Sequence, residues 1–165
     1  MMNKIVLLLV CVMLSACGFH LRGTQAFDRL PYQAWYVSGG EMQQALENAL
    51  RRVDGQAVPA TQAQASIVVT GIQTQKDVFT ITQAAIINEY LLVLRVNAQA
   101  YRDGQPWGEP MTVMVRHTMD YSDSEVLGKP DEEALIRQEM RQDAAQQIVR
   151  RLAFLKESNH AQLGD

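Results

Sequence analysis

Glu89-Tyr90-Leu91-Leu92-Val93-Leu94-Arg95-Val96-Asn97-Ala98-Gln99-Ala100-Tyr101-Arg102 is the stretch on which the fold turns. Leu92, Leu94, Val96, Ala98 and Ala100 recur at every second position, and a period of two puts them on one face of a long strand. The other face carries Arg95, Asn97 and Gln99. Asp103-Gly104-Gln105-Pro106 follows, with the composition of a hairpin turn. Met111 to Tyr121 then returns as a second strand. Met111, Val113, Val115 and Met119 fall on one side of it, and Thr112, Arg116, Thr118 and Asp120 on the other. Arg95 and Arg116 therefore lie on the polar faces of two strands expected to pair. Together they suit a phosphorylated or carboxylated ligand.

Upstream, Ser66 to Thr82 is rich in Thr, Val and Ile and predicts a third strand. Its alternation slips near Gln75-Lys76-Asp77, where a bulge or break is expected. Ala34 to Val37 is a short strand closed by Ser38-Gly39-Gly40. Glu41 to Val53 has helical spacing, with Met42, Leu46, Ala49, Leu50 and Val53 on one stripe and Asp54-Gly55 at its end. Gln56 to Gln64 and Ser122 to Pro130 read as loops. Asp131 opens a long helix whose stripe is Ile136, Met140, Ala144, Ile148, Leu152 and Leu155. Acids in its first turn and Arg150 and Arg151 near its end match the helix macrodipole. The order β-α-β-β-β-α predicts an α+β two-layer sandwich, a four-stranded sheet with two α-helices packed on one face. The opposite sheet face is then either wet or pressed against something else.

The start of the chain reads as a signal. Lys4 supplies a positive region, and Ile5 to Leu14 is an apolar run too short to span a hydrocarbon core of about 30 Å. It ends in Leu14-Ser15-Ala16-Cys17, the pattern of a bacterial lipoprotein box. Cleavage after Ala16 leaves Cys17 as the site of lipid attachment. The alternative is an ordinary secretory signal cut at the same bond, with Cys17 a free thiol. Residues 1–16 are thus read as a signal peptide, 17–157 as the domain and 158–165 as a flexible tail. Gly18, rather than Asp, after the cysteine directs such a lipoprotein to the outer membrane of a Gram-negative cell.

Composition narrows the function further. The chain has 165 residues, 47% apolar, with a net charge of −3. That size and balance fit one globular domain. The cations are scattered, which argues against a nucleic-acid partner, since counterion release needs them clustered. Loss of the signal removes Cys11 and leaves only Cys17, so disulfides and thiol catalysis are excluded. His117, Asp120 and Asp123 are spaced three apart, but on a strand such positions face opposite sides and do not converge on a metal. His20 and His160 stand alone. There is no G-x-S-x-G elbow, H-E-x-x-H motif or glycine-rich phosphate loop. The sequence offers no catalytic constellation, no metal site and no cofactor motif, and the expectation is that the protein is not an enzyme. Trp107 beside the hairpin turn is either a cap on that turn or an anchor in an interface, where Trp is enriched.

Cys17-Gly18-Phe19-His20-Leu21-Arg22-Gly23, a lipobox cysteine running into G-F-H-L-R, resembles the LptE (RlpB) family of LPS-assembly lipoproteins. Asn88-Glu89-Tyr90 leading to Val96-Asn97-Ala98, Arg116, Leu127-Gly128-Lys129, Gln138-Glu139-Met140 and Ala144-Ala145-Gln146-Gln147 are similar too. The resemblance covers essentially all of 17–157. It implies an outer-membrane lipoprotein that plugs and helps assemble the LptD β-barrel in a 1:1 complex. It also implies binding of lipopolysaccharide during insertion into the outer leaflet. Lys129 stands at the position of a lysine associated with lipopolysaccharide contact in other members, and joins Arg95 and Arg116 as a candidate. Some members carry a basic hairpin tip between the second and third strands. Here that tip reads Thr82-Gln83-Ala84-Ala85-Ile86-Ile87, without a cation, so Ile86 and Ile87 suggest apolar contact with acyl chains or barrel wall. With Trp107 they form the candidate partner interface. The competing expectation is a lipid-anchored periplasmic chaperone or lipid-binding module that acts without a barrel.

Overall fold

The computed structural model describes residues 30–83, 86–122 and 128–155. Strand β1 (Ala34–Ser38) leads through a 3-10 turn (Gly40–Met42) into helix α1 (Gln43–Arg51). Strand β2 (Gln56–Ala57) follows, then a second 3-10 turn (Ala60–Gln62) and strand β3 (Ala65–Ile81). Strands β4 (Ile87–Arg102), β5 (Gln105–Pro106) and β6 (Met111–Asp120) precede the long helix α2 (Lys129–Leu152). The class is α+β, as the patterning predicts. The sheet has six strands rather than four, because β2 and β5 each add a two-residue pairing. In order, β2, β1, β3 and β4 lie side by side, and β4 then pairs with β5 and β6. β1 is parallel to β2 and β3, and the rest is antiparallel.

Both helices cover one face. The alternating set of β4, Leu92 to Ala100, is buried there with Val113 and Val115 of β6 and Ile67 of β3. Leu46 and Leu50 of α1 and Ile136, Met140, Ile148 and Leu152 of α2 close the core from above. At about 25 cal/mol per Å² of apolar area, this layer is the main stabilising term. Proline at the second position of α2, Asp131 and Glu132 in its first turn, and Arg150 and Arg151 in its last complement the N- and C-terminal ends. Trp35 is fully buried, stacks on Trp107 at 6.1 Å between centroids, and donates its indole N–H to the Tyr32 carbonyl at 2.7 Å.

The bulge in β3 is not at Gln75–Asp77. Those three residues pair in unbroken register with Val93, Leu92 and Leu91. The shifts lie between Val69 and Gly71 and beyond Val78. Polarity slips at Lys76 for another reason: it faces the helix layer, where Glu133 of α2 accepts from its ammonium at 2.6 Å. The β4–β5 turn matches its composition, with Asp103 and Gly104 at φ 51 and 76, both in the left-handed region that a two-residue hairpin needs. Gly108, at φ 74, lies where an added Cβ would overlap the side chain of Leu155, three residues past α2. Gly108→Ala is expected to destabilise the domain by about 1–2 kcal/mol, read as a lowered urea midpoint at constant slope.

Candidate functional site

The sheet face away from the helices carries the candidate site. On β4 it presents Leu91, Val93, Arg95 and Asn97, on β6 Thr112, Met114, Arg116 and Thr118, and on β3 Gln73, Gln75 and Asp77. Val93 lies opposite Arg116 and Arg95 opposite Met114, so the two arginines are diagonal neighbours on adjacent strands. Diagonal positions lie about 7–8 Å apart, within one span for long side chains. Both arginines are exposed, and among the described residues neither has a hydrogen bond or ion pair. Asn97 and Thr112 are bonded across the strands at 2.9 Å. Gln99 does not stay wet. It is buried, and its amide donates to the carbonyls of Ala100 and Gly108.

Lys129 sits elsewhere. It begins α2, on the helix side of the sheet, and its ammonium donates to Glu132 at 2.8 Å. The three cations therefore do not converge on one site: Arg95 and Arg116 share a face, and Lys129 is across the sheet from them. Trp107, expected either as a cap on the turn or as an interface anchor, is 6% exposed and held between Trp35 and Tyr32, with its area used in the core. Ile86 is half-exposed at the hairpin tip, with Ile87 next to it. The tip is closed by Thr82, whose N–H donates to the Ile86 carbonyl while its hydroxyl accepts from the Ile86 N–H.

The sequence reading missed what surrounds that tip. Val78, Phe79 and Ile81 are 50–61% exposed beside Ile86, so β3 and β4 end in an uncovered apolar patch. Apolar side chains on both arms of one turn are the signal that marks it. Behind the patch, α2 is clamped to the hairpin. Glu133 accepts from Lys76 and Arg137, and the Lys76 ammonium lies 4.4 Å from the Tyr90 ring centre. The Lys76 hydrogen bond, helped by Arg137 and opposed by partial burial, holds the Glu133 carboxyl below its ordinary value of 4.5. A depressed carboxyl stabilises the fold above its unfolded pKa, and the contribution is lost as pH falls through the lower native value. Glu133→Gln is thus expected to cost on the order of 0.5 kcal/mol at neutral pH and to flatten the stability profile below pH ~4.5. Urea melts of both proteins across that range check it, and an unchanged acid slope would refute the role given to the clamp.

Cys17, His20, Asp123, Leu127, His160 and the tail at 158–165 lie outside the described residues. His117 and Asp120 fall on opposite faces of β6, and among the described residues no group of three or more potential ligands assembles. The space between sheet and helices, which a lipid-carrying module would use, is filled by fully buried Leu46, Leu50, Ile67, Val96, Val113 and Ile148.

Comparison with known proteins gives consistent matches. The sequence model of the LptE family, described as Lipopolysaccharide-assembly, matches residues 32–152. The LPS-assembly lipoprotein LptE of Pectobacterium atrosepticum is 32% identical over 162 residues, covering 93% of this chain and 86% of that protein. Its counterpart in Yersinia enterocolitica is 31% identical over 160 residues, covering 92% and 77%. Among solved structures, lipoprotein B of Nitrosomonas europaea aligns with a TM-score of 0.66 at 22% identity, over 82% of this chain and 90% of that one. A minor lipoprotein from Acinetobacter baumannii gives 0.63 at 21%, over 75% and 92%. These two structural likenesses concern the fold.

Proposed function

Because the chain belongs to the LptE family of lipopolysaccharide-assembly lipoproteins, we propose that it is acylated at Cys17 and held at the outer membrane. There it plugs and helps assemble the LptD β-barrel as a 1:1 complex. It binds lipopolysaccharide while that lipid passes to the outer leaflet.

The family match carries this reading. The uncovered sheet face fits it, since a plug in the polar, aqueous lumen of a barrel needs polar side chains there. Arg95 and Arg116 supply two unpaired guanidiniums on that face, suited to a lipid phosphate or to acidic groups of a barrel wall. The apolar tip, with Ile86 and Ile87, suits acyl chains or the apolar part of a wall. Lys129, on the opposite side of the sheet, makes a separate contact with lipopolysaccharide. Acyl chains at Cys17 keep the domain beside the membrane and raise its effective concentration for the barrel.

The test is to express the tagged full-length protein in its own envelope, extract it in mild detergent and identify what accompanies it. A stoichiometric large β-barrel that survives salt washing is the expected result. A protein that comes down alone and still binds lipopolysaccharide would sink the plug. In the co-purified complex, Arg95→Ala with Arg116→Ala is expected to weaken lipopolysaccharide capture about tenfold or more, at about 1.5–3 kcal/mol for a charge-assisted hydrogen bond, while leaving the melting temperature unchanged. Capture at the parental level by the double variant would remove those residues from the site.

A further inference from the structure

The two helices run parallel: the first turn of α1 lies beside Gln138 and Arg141, and its last turn beside Gln146 and Arg150. Their C-terminal ends therefore meet at the base of the domain, far from the hairpin tip that the start of α2 overlies. A cleft of about 170 Å³ opens between them there. Leu30, Val53, Val149 and Ala153 give it apolar walls, and Arg52 and Arg150 flank it. Both arginines are exposed, and neither has a hydrogen bond or ion pair among the described residues. Arg51 and Arg151 adjoin them, the one bonded to Asn48 and the other to the Thr112 carbonyl. Phe154, 59% exposed, follows directly after Ala153.

Basic residues at helix C-termini ordinarily answer the macrodipole. Each helix end carries only about half a negative charge, and with Asp54 counted the four arginines leave roughly two positive charges over, which Arg102, Asp103 and Glu109 on the β4–β6 connection at the same end reduce to about one. The chain itself indicates what this surplus meets. Leu30, in the wall of the cleft, lies about a dozen residues after Cys17. At no more than about 3.5 Å per residue, that stretch spans at most about 45 Å. An acylated Cys17 thus joins the domain to its leaflet through the base, and its reach falls short of the roughly 53 Å that the sixteen residues of β4 put between base and tip. Cations beside apolar surface and an exposed aromatic ring are the chemistry of a headgroup interface, with charge at phosphate depth and the ring at the acyl boundary.

We infer that the base docks on anionic phospholipid headgroups of the leaflet that holds the anchor, with Arg52 and Arg150 flanking a headgroup phosphate over the cleft between the two helix C-termini. This rests on the acylated Cys17 of the proposed function.

The experiment uses the complete mature chain, residues 17–165, with Cys17→Ser so that no acyl chain contributes. Its binding is measured to phosphatidylcholine vesicles with and without phosphatidylglycerol. The anionic vesicles are expected to bind it more tightly, and Arg52→Gln and Arg150→Gln are each expected to weaken that binding about fivefold. Arg141→Gln removes the same charge from the same helix about 13 Å away, beyond a Debye length, and is expected to change binding by less than about twofold. Equal losses for all three variants, or no preference for the anionic vesicles, would overturn the proposal. Displacement by inorganic phosphate at matched ionic strength would also overturn it, by making the cleft a small-anion site. Unchanged melting temperatures show that the variants fold. Alkyne fatty-acid labelling of Cys17 in the full chain reads the anchor separately. An unlabelled chain whose mature form still shows Arg52-dependent binding overturns the anchor and supports the headgroup surface.

Discussion

Cys17→Ser is expected to abolish fatty-acid labelling of the full chain and to lower vesicle partitioning of the purified protein by about 10⁴-fold or more. A single myristoyl chain already gives a binding constant of about 10⁴ M⁻¹, each further buried methylene adds about 0.8 kcal/mol, and lipoproteins carry more than one chain. The headgroup contacts at Arg52 and Arg150 are too weak to compensate. Labelling that persists in the variant would place the lipid elsewhere. Absence of labelling in the parental chain would favour the other reading of Ala16-Cys17, an ordinary secretory cleavage with a free thiol. That result would remove both the tether and the effective-concentration argument for the barrel.

Trp35→Ala is expected to cost about 3–5 kcal/mol, a large share of the roughly 5–15 kcal/mol that holds a domain folded. Trp35 is fully buried on β1, a strand of five residues with little other area of its own. It supports Trp107 face to face and bonds to Tyr32, so its loss opens a cavity where the β4–β6 connection meets the segment leading into β1. Urea unfolding should show the lower midpoint. A cycle with Trp107→Ala should give a coupling of about 0.5–1.5 kcal/mol beyond the area lost, as for other packed aromatic pairs. Independent, additive effects would mean that the stack adds no stability beyond burial. Trp107→Ala should destabilise whether or not a barrel is present, as a core residue must and a pure interface anchor would not.

The long elements were legible because their burial is periodic. Leu92 to Ala100 on β4, Met111 to Met119 on β6 and Ile136 to Leu152 on α2 all point where their spacing puts them. β2 and β5 were not, since two residues carry no period, and only the neighbouring strand makes them part of a sheet. Lys76 shows how a polar residue on the inner face imitates a bulge: its partner Glu133 is 57 residues away and invisible to local pattern. The real irregularities, near Thr70 and Phe79, disturb polarity little and so left no trace. The Arg95–Arg116 pair was legible from alternation alone. The exposure of Phe79 and Ile81 was not, because it depends on how far β3 and β4 outrun α2. The burial of Trp107 was not legible for a related reason. A turn residue's environment is decided by what folds back onto it, here Trp35 and Tyr32.

The sixteen residues of β4 form one uninterrupted strand from the base to the tip. At about 3.3 Å per residue this is a stiff ruler of roughly 53 Å, longer than the ~30 Å hydrocarbon core of a typical bilayer and somewhat longer than its full 40–45 Å with headgroups. Were the base docked on the periplasmic leaflet as proposed, with β4 along the membrane normal, Phe79, Ile81 and Ile86 would stand near the height of the opposite leaflet's headgroups. Shortening β3 and β4 together by one pleat would then lower that tip by about 7 Å while leaving its chemistry untouched.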